Sequence, residues 1–142
     1  MSVPAIILFS ALLILIVTLI IIRRKINNYA KLPDHQEIVK LNDMNFSAKT
    51  QNGLFLIDFW APWCGPCKLM IPVLNELATD LKGEVTIGKV NVDEVKGTAA
   101  KFRIKSIPTL VLLKNGKEVQ RFVGVKSKEQ LKKEIEKYCK KS

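Results

Sequence analysis

The distribution of apolar and polar positions divides the chain into two unlike parts. From Val3 to Ile22 no residue carries a charge, and Ile and Leu dominate. A helix rises about 1.5 Å per residue, so roughly twenty such residues cover a hydrocarbon core of about 30 Å. Ser10 and Thr18, the polar members of the run, can bond to their own helix backbone. Beyond Arg23 the pattern is that of a water-soluble unit. Glu37 to Leu41 alternates like an edge strand, and Asn42 to Gln51 reads as a short helix with Asn42 or Asp43 at its cap and Gly53 at its end. Leu54 to Trp60 (LFLIDFW) is almost continuously apolar, as in a central strand buried on both faces, with Asp58 as its one charged member.

Leu69, Met70, Val73, Leu74, Leu77 and Leu81 then recur at three- and four-residue spacing, which predicts a helix ending at Gly83 and kinked at Pro72. Val85 to Val92 is a third strand, Glu94 to Phe102 a short helix, and Thr109 to Leu113 a fourth strand. Lys114-Asn115-Gly116-Lys117 is a hairpin turn, because Asn-Gly accepts positive φ, and Val119 to Val123 returns as its partner. Ser127 opens the last helix, with Gln130 completing a capping box and Leu131, Ile135, Tyr138 and Cys139 along its apolar stripe. Early strands separated by helices imply parallel pairing, and the late hairpin adds antiparallel strands. The expected fold is α/β: a mixed sheet with helices on both faces. The organisation is a membrane anchor with a basic flank (residues 1–25), a polar linker (26–35) ending in Pro33 and Asp34, and one domain (36–142).

Charge sharpens the reading of the first part. The formal net charge is +10, and every acidic residue lies at Asp34 or later. Arg23, Arg24 and Lys25 therefore follow the apolar run unopposed. The alternative to an anchor is a cleaved signal peptide. Against it stand the length of the run, the absence of a preceding basic residue and the absence of a small-x-small site after it. The positive-inside rule then predicts a single-pass membrane protein with its C-terminal domain in the cytoplasm. Lys132, Lys133, Lys137, Lys140 and Lys141 read as the solvated face of the last helix, with attraction to anionic headgroups or acidic partners as the sharper alternative. No basic stripe interleaved with aromatics points to nucleic acid.

The chemistry concentrates in Trp60-Ala61-Pro62-Trp63-Cys64-Gly65-Pro66-Cys67-Lys68, which joins the buried strand to the start of a helix. Two cysteines at this spacing can reach each other. Cys64 would lie near unpaired backbone N–H groups and the positive end of the helix dipole, both of which stabilise a thiolate, the attacking species in disulfide exchange. Cys67, one turn further in, is expected to be less exposed and to resolve the mixed disulfide. The alternative is half of a zinc site. A closed zinc site takes four ligands, and only the isolated His35 and Cys139 remain to supply them. Three cysteines in all do not make a structural disulfide framework.

The segment DFWAPWCGPCK resembles the active site of the thioredoxin family. The likeness runs from about Glu37 to Cys139 and includes KVNVDE, SIPTLVLLKNG and FVG in order. It implies the thioredoxin fold, with a five-stranded mixed sheet, and a protein-disulfide reductase without a cofactor. Its substrates would be disulfide-containing proteins, and a thioredoxin reductase or a membrane electron donor would restore the dithiol. By the resemblance Cys64 is the nucleophile and Cys67 the resolving cysteine of a redox disulfide. Pro108 is a cis-proline facing that disulfide, and Ile107 offers its backbone to an extended substrate. Trp63, Gly65, Pro66 and Gly124 belong to the docking surface, while Phe59 and Trp60 pack. Asp58 matches the family's buried acid and Lys89 its companion lysine. A carboxyl inside an apolar strand resists ionisation, so Asp58 is suited to exchange a proton with Cys67. The sequence departs from the family in carrying an anchor and in placing Pro62 where many bacterial members have an acidic residue. Two further functions remain open: an extracytoplasmic disulfide oxidase, isomerase or cytochrome-maturation reductant, and a binding module without turnover. Cys139 reads as a packing residue and His35 as exposed linker.

Overall fold

The computed structural model describes residues 3–139. Its first element, α1 (Val3–Tyr29), is a helix of 27 residues, none of them buried. It is long and apolar enough to cross a membrane. Ser10 Oγ donates to the Ile7 carbonyl at 2.8 Å and Thr18 Oγ1 to that of Ile14 at 2.7 Å, so the two hydroxyls are satisfied within the helix. The helix does not stop with its apolar stretch. It runs through Arg23, Arg24 and Lys25 to Tyr29, taking in the first four residues of the expected linker. Nothing between Ile26 and Leu32 breaks a helix, and the chain unwinds only in the three residues before Pro33.

Nine elements follow: β1 (Val39–Lys40), α2 (Phe46–Thr50), β2 (Leu54–Trp60), α3 (Gly65–Asp80), β3 (Thr86–Asn91), α4 (Lys96–Lys101), β4 (Thr109–Lys114), β5 (Lys117–Val123) and α5 (Lys128–Cys139). The sheet has five strands in the order β1-β3-β2-β4-β5. β1, β3 and β2 are parallel, whereas β4 is antiparallel to β2 and β5 to β4. β2 is thus central, which explains its apolar run. Leu56 faces one core with Met70, Leu74 and Leu77 of α3 and Leu131 and Ile135 of α5. Phe55, Ile57 and Phe59 face the other, with Phe46 of α2 and the half-buried Phe102 at the end of α4.

The ends of the elements show where local signals decide structure. Asn115 and Gly116 adopt φ of 51° and 76°, as their turn requires. Ser127 and Gln130 form the reciprocal capping box, 3.0 Å one way and 3.2 Å the other. Pro72 lies inside α3 and leaves the Lys68 carbonyl without its usual donor. The segment 42–51 is helical only from Phe46. Asn42 accepts from the Met44 and Asn45 amides and so makes a turn ahead of the helix. Asp43 does not cap α2. Its carboxylate accepts from the Gly97 and Thr98 amides and the Thr98 hydroxyl, tying the start of α4 to the loop after β1. The lysines of α5 are not all free surface: Lys128 pairs with Glu76 and Asp80 of α3, Lys132 with Asp80, and Lys137 with Glu134. Lys140 and Lys141 lie outside the described residues.

Candidate active site

β2 ends at Trp60 and α3 begins at Gly65, and the four residues between them carry the chain over the edge of the sheet. Cys64 is the N-cap of α3. Its backbone is extended (φ −77°, ψ 104°), and its sulfur accepts from the Cys67 amide at 3.2 Å. Pro66 lies in the first turn, where its missing N–H costs nothing. Cys64 and Cys67 are joined in a disulfide with Cα atoms 5.3 Å apart. In this oxidised form the expected difference in exposure is absent: Cys64 is 3% exposed and Cys67 4%. Ala61 is buried in one cluster with the two cysteines, and Trp60, Val92 and Ile107 pack against it.

The surroundings of the disulfide come from distant parts of the chain. Ile107-Pro108 is a cis peptide, and the Pro108 carbonyl accepts from the Gly124 amide at 2.8 Å. Gly124 adopts φ of 80°, a conformation side chains resist, so its identity serves that contact. Trp63 is 69% exposed beside the disulfide and is held by a bond of 3.0 Å from its Nε1 to Asp93. Trp63 and Ile107 line a shallow groove, and Val123 and Val125 expose apolar surface on either side of Gly124. Gly65 is half-buried and Pro66 exposed.

Beneath the pair lies Asp58. It is 2% exposed and in register with Lys89 on β3 and Leu110 on β4, and its Oδ1 has no hydrogen-bond partner among the described residues. Burial pushes its carboxyl up to about 7, partly offset by the positive charge of Lys89. A cavity of about 270 Å³ reaches both Asp58 and Cys67 and is lined by Lys89 as well. Lys89 does not give its ammonium to Asp58. It pairs with Asp34 of the connector at 2.7 Å and lies 4.6 Å from the centre of the Trp60 ring.

Sequence reasoning missed Asp34, Asn75, which binds the connector to α3, and Asp93 as the holder of Trp63. None carries a local motif, since each acts across 30 residues or more of chain. Cys139 is half-buried and donates to the Ile135 carbonyl, and burial raises its thiol above the ordinary range. His35 is half-buried; its amide bonds to the side chain of Asn75. Among the described residues no cluster of three or more His, Cys, Asp or Glu side chains is arranged for a metal ion.

A disulfide at the cap of a helix, beside an exposed indole and above a buried acid, defines a thiol–disulfide oxidoreductase. The thiols can exchange two electrons with a substrate disulfide, and the acid can take up a proton. A family model described as Thioredoxin matches residues 37–137. The thioredoxin of Staphylococcus saprophyticus is 52% identical over 101 residues, covering 71% of this chain and 97% of its own length. That of Staphylococcus aureus is 48% identical over the same shares. The chain belongs to the thioredoxin family.

Proposed function

We propose that this protein is a protein-disulfide reductase tethered to a membrane by α1, with its domain in the cytoplasm. The observation that carries the reading is the Cys64–Cys67 disulfide at the head of α3, above the buried Asp58 carboxyl, whose Oδ1 has no hydrogen-bond partner among the described residues. In the reduced protein the Cys64 thiolate, favoured by the helix terminus, attacks one sulfur of a substrate disulfide. A mixed disulfide forms and the first substrate thiolate leaves. Asp58, as carboxylate, takes the proton of Cys67. The Cys67 thiolate then attacks the Cys64 sulfur, forming the bond seen here and expelling the second substrate thiolate. Substrate gains two electrons and two protons, and the protein is left oxidised. A thioredoxin reductase or a membrane electron donor returns two electrons.

In this reading Trp63, Gly65, Pro66, Ile107, Pro108 and Gly124 form the surface that takes an extended substrate, and Lys89 adjusts the charge around Asp58. Arg23, Arg24 and Lys25 support the cytoplasmic orientation. The test is the redox potential of the cysteine pair in the full chain, equilibrated against glutathione. A value near about −270 mV supports the reductase, whereas one near about −120 mV supports an extracytoplasmic oxidase or isomerase. Cys64→Ser is expected to abolish reduction of insulin disulfides. Retention of the protein's role in cells by that variant would instead indicate a binding module.

A further inference from the structure

The connector between α1 and β1 does not hang free. The Asn75 side chain on α3 donates to the Pro33 carbonyl and accepts from the His35 amide, each at 2.9 Å. Between these two bonds lies Asp34, whose carboxylate takes the Lys89 ammonium at 2.7 Å. The Lys89 side chain is 6% exposed and that of Asp34 28%, so the pair is shielded from water on the lysine side. Lys89 lines two cavities. One, of about 630 Å³, is bordered by Asp34, and the other, of about 270 Å³, by Asp58, Cys67 and Ala30. The lysine therefore has a carboxylate on each side and is hydrogen-bonded to only one of them. Asp58, its register partner on the neighbouring strand, keeps an oxygen with no partner among the described residues.

We propose that Asp34 is a positioning residue for disulfide exchange: by holding the Lys89 ammonium on the connector side, it keeps Asp58 able to carry the proton of Cys67 near neutral pH. This rests on Asp58 being the proton acceptor in the reading above. A buried cation bonded directly to Asp58 would hold it ionised and lower its basicity, making it a weaker acceptor for a thiol proton. Asp34 prevents this twice over. It occupies the lysine, and its own negative charge opposes ionisation of Asp58. The charged and titratable groups facing Asp58 or its cavity are Lys89 from β3, Asp34 from the connector, and Cys67 and Lys68 from α3; the neighbouring β4 contributes Leu110. Because Asn75 pins the connector on both sides of Asp34, the segment that leads out of α1 is built into the proton-transfer step.

The experiment follows the rate at which the reduced full-length protein is oxidised by insulin, from about pH 5 to about pH 9, in detergent. Asp58→Asn must first remove one limb of the profile; if the limb survives, the role of Asp58 itself is wrong. Given that limb, Asp34→Asn is expected to move it to lower pH by at least about half a unit. Lys89→Met is expected to move it to higher pH, and Asp34→Glu to restore it. Opposite shifts from two neighbouring substitutions do not arise from a shared loss of structure. Asn75→Ala, which loosens the connector and leaves both charges in place, is expected to shift the limb less than Asp34→Asn. An unmoved limb in Asp34→Asn, or a shift in the opposite direction in Asn75→Ala, overturns the proposal.

Discussion

A single carboxyl group links the stability of this protein to its chemistry. Asp58 has no exposed surface to speak of, and burial raises it from an ordinary 3.8 to about 7. Below pH 3.8 it is protonated both folded and unfolded and contributes nothing to the pH dependence. Between 3.8 and 7 the folded protein keeps a proton that the unfolded chain releases, so stability falls as pH rises, with the loss complete above 7. Asp58→Asn removes that penalty. The variant is expected to be more stable than the parent above neutral pH, by a few kcal/mol at most, and equal to it in strong acid. Denaturant melts of both proteins across pH test this; equal midpoints at alkaline pH would remove the raised pKa. The same variant is expected to reduce insulin more slowly by about an order of magnitude near neutrality, because Cys67 loses its proton acceptor. An unchanged rate at every pH would exclude Asp58 from the mechanism.

Elements in this fold are ended by side chains, and some of those side chains belong to other elements. The last helix is capped locally, by Ser127 and Gln130 reaching to each other's amides. Ser127→Ala is expected to cost about 1 kcal/mol, read as a lower denaturant midpoint with activity retained. The short helix α4 depends on Asp43, more than fifty residues earlier. Hydrogen bonds from Thr98 hold the Asp43 carboxyl below its ordinary value of 3.8. Its contribution is therefore present at neutral pH and lost as pH falls through that lowered value. Asp43→Asn is expected to loosen α4, seen as faster amide hydrogen exchange at Gly97 and Thr98. The same kind of long-range tie holds Trp63 through Asp93.

At the scale of the molecule, α1 touches α3 and contributes no residue to the buried core. Every residue of the buried core lies at Leu41 or later. A chain beginning at Ala30 retains the core, the Asn75 bridge and the Asp34–Lys89 pair. It is expected to unfold cooperatively and reduce insulin, and to leave the membrane fraction. The full chain in sealed vesicles reports its orientation: the domain is expected to resist protease from the outside of intact cells and to be digested in inverted vesicles. Digestion from outside would reverse the cytoplasmic assignment and favour an extracytoplasmic partner.

What the sequence by itself determined is what neighbouring residues decide between them. The span of β2 follows from its unbroken apolar run, the β4–β5 turn from Asn115-Gly116, the start of α5 from Ser127 and Gln130, and the reach of Cys64 to Cys67 from their spacing, with their role as a redox disulfide implied by the family resemblance. The mixed five-stranded sheet followed from the alternation of strands and helices closing in a hairpin, and the family from DFWAPWCGPCK. Only the tertiary structure decided which residues meet across long stretches of chain. Local polarity placed Asn42 or Asp43 at the cap of the helix over 42–51, whereas Asp43 serves α4, which only the folded chain brings to it from more than fifty residues away. Asp34 read as the end of a linker, and its bond to Lys89 exists because α3 and β3 bring Asn75 and the lysine to the same edge. The pairing of Lys89 and the isolation of Asp58 are set by burial and distance in three dimensions, and those have no periodicity for a sequence to display.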